Sequence, residues 1–207
     1  GMREIQVEFF SEGTRVAGLM RLPDTEGPWP GIVQGPGWLG LKDAKFYIPY
    51  HQALTDAGFA LLVFDYRGFG DSDGDRNTLS PKIQLEDLIN AVTYLETRDD
   101  IMPHRLGVFG SGGTGGGNAV LLAALDKRIK CAVSQNPVSD GEDWLRRMRR
   151  EYEWYEFLAR LDADRKQRVT GGAGEMVHPR EEIMVPTPER KTTTLKSDVD
   201  GRVPSSV

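Results

Sequence analysis

The chain has 207 residues, with 26 Lys and Arg against 31 Asp and Glu for a net charge of −5. That length suits a single domain with a substantial core, and the mild acidity excludes general nucleic-acid affinity, which needs a basic excess to displace counterions. Its apolar runs fall short of the roughly 18–20 residues a membrane span requires, and the lone Cys131 excludes an internal disulfide or a cysteine-built zinc site. The expectation is a cytoplasmic protein with neither nucleic acid nor membrane as a partner. No cofactor or metal is expected either, because no His, Asp or Glu cluster shows ligand spacing. Glycine is the departure, with 24 residues, six of them within Gly110–Gly117.

Residues 3–10 alternate polar and apolar through Ile5, Val7 and Phe9, which predicts a half-buried strand. Arg15 to Leu22 predicts a second, set off by Glu12-Gly13 and ended by Pro23, so the two form an antiparallel pair at a sheet edge. Pro30 to Gln34 is a short apolar strand running into Gly35-Pro36-Gly37-Trp38-Leu39-Gly40. A helix follows from Ile48 or Pro49 to Ala57, with His51 inside it and Gly58 as its cap. Phe59 to Phe64 is almost wholly apolar, the pattern of a parallel strand buried on both faces.

The pattern then repeats. Ser80-Pro81 starts a helix whose Leu85, Leu88, Ile89, Val92 and Leu95 share one face. Arg105 to Phe109 is a strand, 118–125 an alanine-rich helix packed closely on a sheet, and Lys130 to Gln135 another strand. This rhythm predicts an α/β fold with a mostly parallel central sheet and helices on both faces. Residues 141–168 predict an amphipathic helical segment with Leu145, Met148, Tyr152, Tyr155 and Leu158 on one stripe. Beyond Gly171 the chain reads as loop, with Pro179, Pro186, Pro188, Pro204 and Thr192-Thr193-Thr194.

Past the buried strand, Asp65-Tyr66-Arg67-Gly68-Phe69-Gly70-Asp71-Ser72-Asp73-Gly74 matches the D-x-R-G-x-G-x-S-x-G signature that follows the fourth strand of α/β-hydrolases. Here Gly68, Gly70 and Gly74 permit a tight exit from the sheet, Asp65 and Arg67 can bond loop backbone, and Ser72 completes the pattern. The chain resembles α/β-hydrolases of the ester- and peptide-cleaving, dienelactone-hydrolase or X-Pro-peptidase-like type. That resemblance implies acyl transfer by a Ser-His-Asp triad on a small-molecule ester or amide. It also implies an oxyanion hole made of the Trp38 N–H, in the loop after the third strand, and the Gly115 N–H at a helix N-terminus. The strand, glycine run and helix around Gly110–Gly117 resemble the nucleophile elbow. Residues 141–168 resemble a helical cap insertion, giving an expected organisation of core 1–140, cap 141–168, and proline-rich loop and tail 169–207.

Within that resemblance the G-x-S-x-G frame Gly112-Gly113-Thr114-Gly115-Gly116 puts Thr114 at the nucleophile position. Ser111 is the alternative hydroxyl. Too little chain follows for the usual acid and histidine segments, so the last strands of the fold are expected to be missing. Asp140, after the strand ending at Gln135, is the candidate acid. His178, in Val177-His178-Pro179-Arg180, is the candidate base, with a plain loop histidine as its alternative. His104 lies at the wrong end of its strand. An unpaired sixth strand predicts self-association. Two other readings stand beside a hydrolase: a non-catalytic relative that binds a small molecule or partner in the same cleft, and dinucleotide binding through the G-x-G-x-x-G of Gly110, Gly112 and Gly115.

Overall fold

The computed structural model describes residues 1–187, 202–204, 206 and 207. Two compact units divide them: Gly1–Val138 joined by residues 202–204, and the chain from Ser139 onward with residues 206 and 207.

In the first unit, β1 (Arg3–Ser11) and β2 (Thr14–Leu22) form an antiparallel hairpin in register from Arg3↔Leu22 to Ser11↔Thr14. Its two turn residues, Glu12 and Gly13, both take positive φ (49° and 79°), the conformation that matches the twist of the flanking strands. β3 (Trp29–Gln34), β4 (Ala60–Phe64), β5 (Ile101–Ser111) and β6 (Ile129–Gln135) complete a sheet of order β1-β2-β4-β3-β5-β6 among the described residues. β2 meets β4 antiparallel, while the β3–β4, β3–β5 and β5–β6 ladders are parallel. The crossovers are α1 (Ile48–Asp56), α2 (Pro81–Thr97) and α3 (Gly112–Leu125).

Strand periodicity explains how the sheet is covered. Along β4, Ala60, Leu62 and Phe64 point into a large core with Leu88, Val92 and Leu95 of α2 and Ala119 and Leu122 of α3. Leu61 and Val63 point the other way, into a second cluster with Leu19, Ile32 and Phe109, against which Leu54 of α1 packs. Helices therefore lie on both faces, and the uninterrupted apolar run of β4 is the consequence.

α3 begins six residues earlier than its composition predicts, because Gly112 to Gly117 are helical. Glycine in a helix costs about 1 kcal/mol relative to alanine, so local propensity argued for a loop. Close packing decides otherwise. A Cβ on Gly110 would overlap the Gly115 carbonyl, one on Gly116 would lie 2.8 Å from the Gln135 carbonyl, and one on Gly113 would lie 2.7 Å from Val138 Cγ2. Only backbone without side chains lets α3 sit this close to the ends of β5 and β6.

The second unit contains α4 (Gly141–Arg147) and α5 (Glu151–Gly171), not one continuous helix. The Arg150 N–H donates to Glu153 Oε2 at 2.7 Å and starts α5 afresh. That break resets the helical phase, so the stripe expected through Tyr152, Tyr155 and Leu158 is exposed and Trp154 and Phe157 are buried instead. Gly172 closes α5 in the left-handed conformation (φ 80°). A short π-helical turn at Pro179–Ile183 occupies part of the stretch read as loop. Pro188 and Thr192–Thr194 lie outside the described residues. No helix among the described residues is long and apolar enough to cross a membrane.

Candidate active site

The site starts where β5 hands over to α3. The residue that makes the bend is Gly112, with φ 84°. An L side chain in that backbone region is strained by about 1–2 kcal/mol. A Cβ at Gly112 would meet nothing within 4 Å, so the position is open as well as left-handed. Thr114 lies two residues further on, half-buried in the first turn of α3. The left-handed backbone of the bend thus falls at Gly112 and not at Thr114, where the helix has already begun. Ser111 is the last residue of β5, half-buried, and its Oγ donates to Gln135 Oε1 at 3.0 Å.

Helix geometry also reassigns the backbone donors. In an α-helix beginning at Gly112, the Gly115 N–H points at the Ser111 carbonyl. The amides left without intrahelical acceptors are those of Gly112, Gly113 and Thr114. They stand at the positive end of the helix dipole, where negative charge is stabilised.

The loop after β3 rests on this turn. A Cβ built on Gly115 would lie 3.5 Å from the Gly35 carbonyl and 3.6 Å from Gly37 Cα, and one on Gly37 would lie 3.7 Å from the Ser111 carbonyl. Trp38 and Leu39 form a tight turn closed by Gly40 N–H to Gly37 O at 2.9 Å. Leu39 takes φ 55° although it is not glycine, and its side chain is fully buried. Such a conformation persists only where surrounding packing over-determines it. Two phenols brace the loop: Tyr47 Oη accepts from the Gly37 N–H at 3.0 Å, and Tyr66 Oη donates to the Pro36 carbonyl at 3.0 Å. Asn118 of α3 donates to Tyr66 Oη at 3.2 Å and to Gln84 Oε1 at 3.1 Å.

The segment after β4 is held as its residue types require. Asp65, fully buried, accepts from the Lys42 N–H (2.8 Å), Lys42 Nζ (2.8 Å) and the Asp71 N–H (3.0 Å). Lys42 also reaches Asp71 at 2.5 Å. That hydrogen bond lowers the Asp71 pKa, while for Lys42 burial pulls down but its two carboxylate partners raise the pKa on balance. Arg67 departs from the backbone-bonding role expected of it. Its main partner is the buried Asp87 carboxylate on α2 (Nε to Oδ1, 2.5 Å), with one longer bond to the Ile83 carbonyl. Ser72 Oγ donates to the Asp65 carbonyl and accepts from the Ala17 N–H. Gly68, Gly70 and Gly74 all have positive φ, and the Gly70 N–H donates to the Arg202 carbonyl at 2.6 Å.

Residues 12–173 match the family model of the X-Pro dipeptidyl-peptidase (S15) family. The chain belongs to that family. Its S15 membership places it among α/β-hydrolases, and the sheet order and the D-x-R-G-x-G segment are the parts of that fold found here. Among curated relatives, a 31.7 kDa protein from the traX-finO intergenic region of Escherichia coli is 38% identical over 152 residues, covering 73% of this chain and 52% of that protein. The quorum-quenching protein AidA of Acinetobacter baumannii is 36% identical over 138 residues, covering 66% and 45%. The chain thus spans about half the length of the curated relatives it matches. Of solved structures, the Pseudomonas aeruginosa protein PA2218 superimposes with a TM-score of 0.71 at 27% identity, covering 85% of this chain and 56% of that one.

The two remaining candidates of this S15 chain belong to the second unit. Asp140 is the N-cap of α4, its Oδ1 accepting from the Asp143 N–H at 3.0 Å. His178 caps the π-helical turn, with Nδ1 accepting from the Arg180 N–H at 3.3 Å and its own N–H donating to Glu182 at 2.5 Å. Both side chains are therefore engaged in local capping. Sequence reasoning missed Tyr47, Tyr66 and Asn118. Tyr66 sits at the variable position of the D-x-R-G motif, and Asn118 opens a stretch that reads as purely apolar.

Proposed function

We propose that the surface formed by the Gly35–Gly40 loop and the first turn of α3 binds a small molecule with an acyl carbonyl (an ester, thioester or amide) without forming a covalent intermediate at the bend. The observation that carries this reading is Gly112. The residue with the elbow's left-handed backbone has no oxygen to offer. The amides of Gly113 and Trp38 are the proposed oxyanion donors in this frame, in place of Gly115. Family membership supports acyl chemistry, and relatives include a thiohydrolase of Aspergillus aculeatus, aneE, at 32% identity over 139 residues. Ser111 and Thr114 are hydroxyls near the bend, but Ser111 is hydrogen-bonded to an amide oxygen, which activates no nucleophile. A fluorophosphonate probe should leave the folded protein unlabelled at both. Mass addition mapped to Ser111 or Thr114 would overturn the non-covalent reading in favour of an esterase or amidase.

Self-association is proposed on a separate ground. Among the described residues β6 is the outer strand of the sheet, with its own Cys131 and Val133 (56%) exposed and Leu125 of α3 (64%) exposed as well. Two copies paired antiparallel about Ala132 would set Cys131 against Val133 and Lys130 against Ser134, with no like charges opposed. Sedimentation at tens of micromolar should give a dimer that Val133→Glu converts to monomer. A wild-type monomer under those conditions rules the pairing out.

A further inference from the structure

The Pro36 carbonyl and the Gly37 N–H are the two ends of one peptide group. Tyr66 Oη donates to the first and Tyr47 Oη accepts from the second, each at 3.0 Å. Both phenols are buried, with Tyr47 1% and Tyr66 0% exposed. A peptide plane held at both ends cannot rotate without breaking a buried hydrogen bond, and the next plane, which carries the Trp38 N–H, is held by its Gly37 carbonyl accepting from the Gly40 N–H at 2.9 Å, so the clamp fixes one side of Gly37 and the turn fixes the other. We propose that Tyr47 and Tyr66 are positioning residues that lock the Pro36–Gly37 peptide and so aim the Trp38 N–H toward the bend at Gly112. This rests on the acyl-site reading above.

Three further features fit a clamp better than incidental packing. Gly35 is compelled, since a Cβ there would overlap Tyr66 Oη. Asn118, on the helix that begins at the bend, donates to Tyr66 Oη, so that hydroxyl's proton is directed at Pro36. Leu39, immediately after Trp38, is held at φ 55°, a conformation that needs a rigid frame. The clamp thus ties three elements to one peptide: the end of β4 through Tyr66, the turn before α1 through Tyr47, and α3 through Asn118.

The test uses the full chain. In Tyr47→Phe, and separately in Tyr66→Phe, hydrogen exchange of the Gly37 amide should accelerate at least tenfold relative to Val33 and Leu62 in the core, and the Trp38 amide resonance should shift. If Gly37 exchange rises only in step with Val33 and Leu62, the tyrosines serve stability alone and the proposal falls. Phenylboronic acid added to Gly112→Ser separates this from the acyl-site reading. There the serine Oγ adds to boron and releases its proton to solvent, giving a tetrahedral boronate anion. Tyr47→Phe in that background should weaken boronate binding about tenfold, and undiminished binding would overturn the proposal. Failure of Gly112→Ser itself to bind the boronate would overturn the acyl-site reading, with the clamp still decided by the exchange ratio.

Discussion

Asp65→Ala should lower stability by about 3–5 kcal/mol, the loss expected when one partner of a buried ion pair is removed. Asp65 is fully buried and serves three donors, one of them Lys42 Nζ, whose side chain is 9% exposed. Alanine would leave the Lys42 ammonium with Asp71 alone, a carboxylate 64% exposed, and would strand the Lys42 and Asp71 amides. Asp65→Asn keeps the shape and one acceptor, so it should fall between wild type and alanine. Urea unfolding of the three proteins provides the comparison. A loss below about 1 kcal/mol for alanine would mean that the segment after β4 does not depend on this carboxylate.

The second large effect concerns acid. His51 of α1 is fully buried, with Nδ1 3.0 Å from Arg21 Nη1 and Nε2 bonded to Gln34 Oε1. Arg21 can only donate, so His51 is neutral, accepting at Nδ1 and donating from Nε2. Burial, and secondarily the charge of Arg21, lowers its pKa from 6.5 to about 3. Below pH 6.5 the unfolded chain takes up a proton that the folded chain refuses. This contribution is therefore complete above pH 6.5 and is lost as pH falls toward 3, at about 1.4 kcal/mol per pH unit. Asp87 works in the opposite sense, because burial raises its pKa and the folded state binds that proton more readily. Comparing wild type with His51→Gln isolates the histidine. The variant should show a pH slope flatter by about one proton between pH 6 and 4, and parallel curves would show that His51 is not held neutral.

How much of this was legible in the sequence depended on which physical scale governed each element. β4 and α2 were plain, because an uninterrupted apolar run and a 3.6-residue stripe are local records of two-sided and one-sided burial. The D-x-R-G-x-G segment was legible too, since Gly68, Gly70 and Gly74 have the positive φ that their residue type announces. The bend was harder. Six glycines hide the point where β5 becomes α3, and counting inward from flanking glycines led to Thr114, with Ser111 as the alternative, and passed over Gly112. What fixes the boundary is the contact of Gly110, Gly113 and Gly116 with backbone and Val138, a tertiary cause with no periodicity. Arg67 was placed in the right segment but given the wrong partner, because Asp87 lies on a different element. The break before α5 turned on one bond, from the Arg150 N–H to Glu153, and it moved the buried stripe to Trp154 and Phe157.

The bare left-handed residue at position 112 has a genetic corollary. A glycine codon of the form GGT or GGC becomes a serine codon by a single base change, and the backbone there already has the geometry such a side chain would have to accept. While the codon stays glycine, the fold is relieved of the roughly 1–2 kcal/mol that any L-residue would impose in that conformation. A bare bend and one that carries a hydroxyl are therefore neighbours in mutational space.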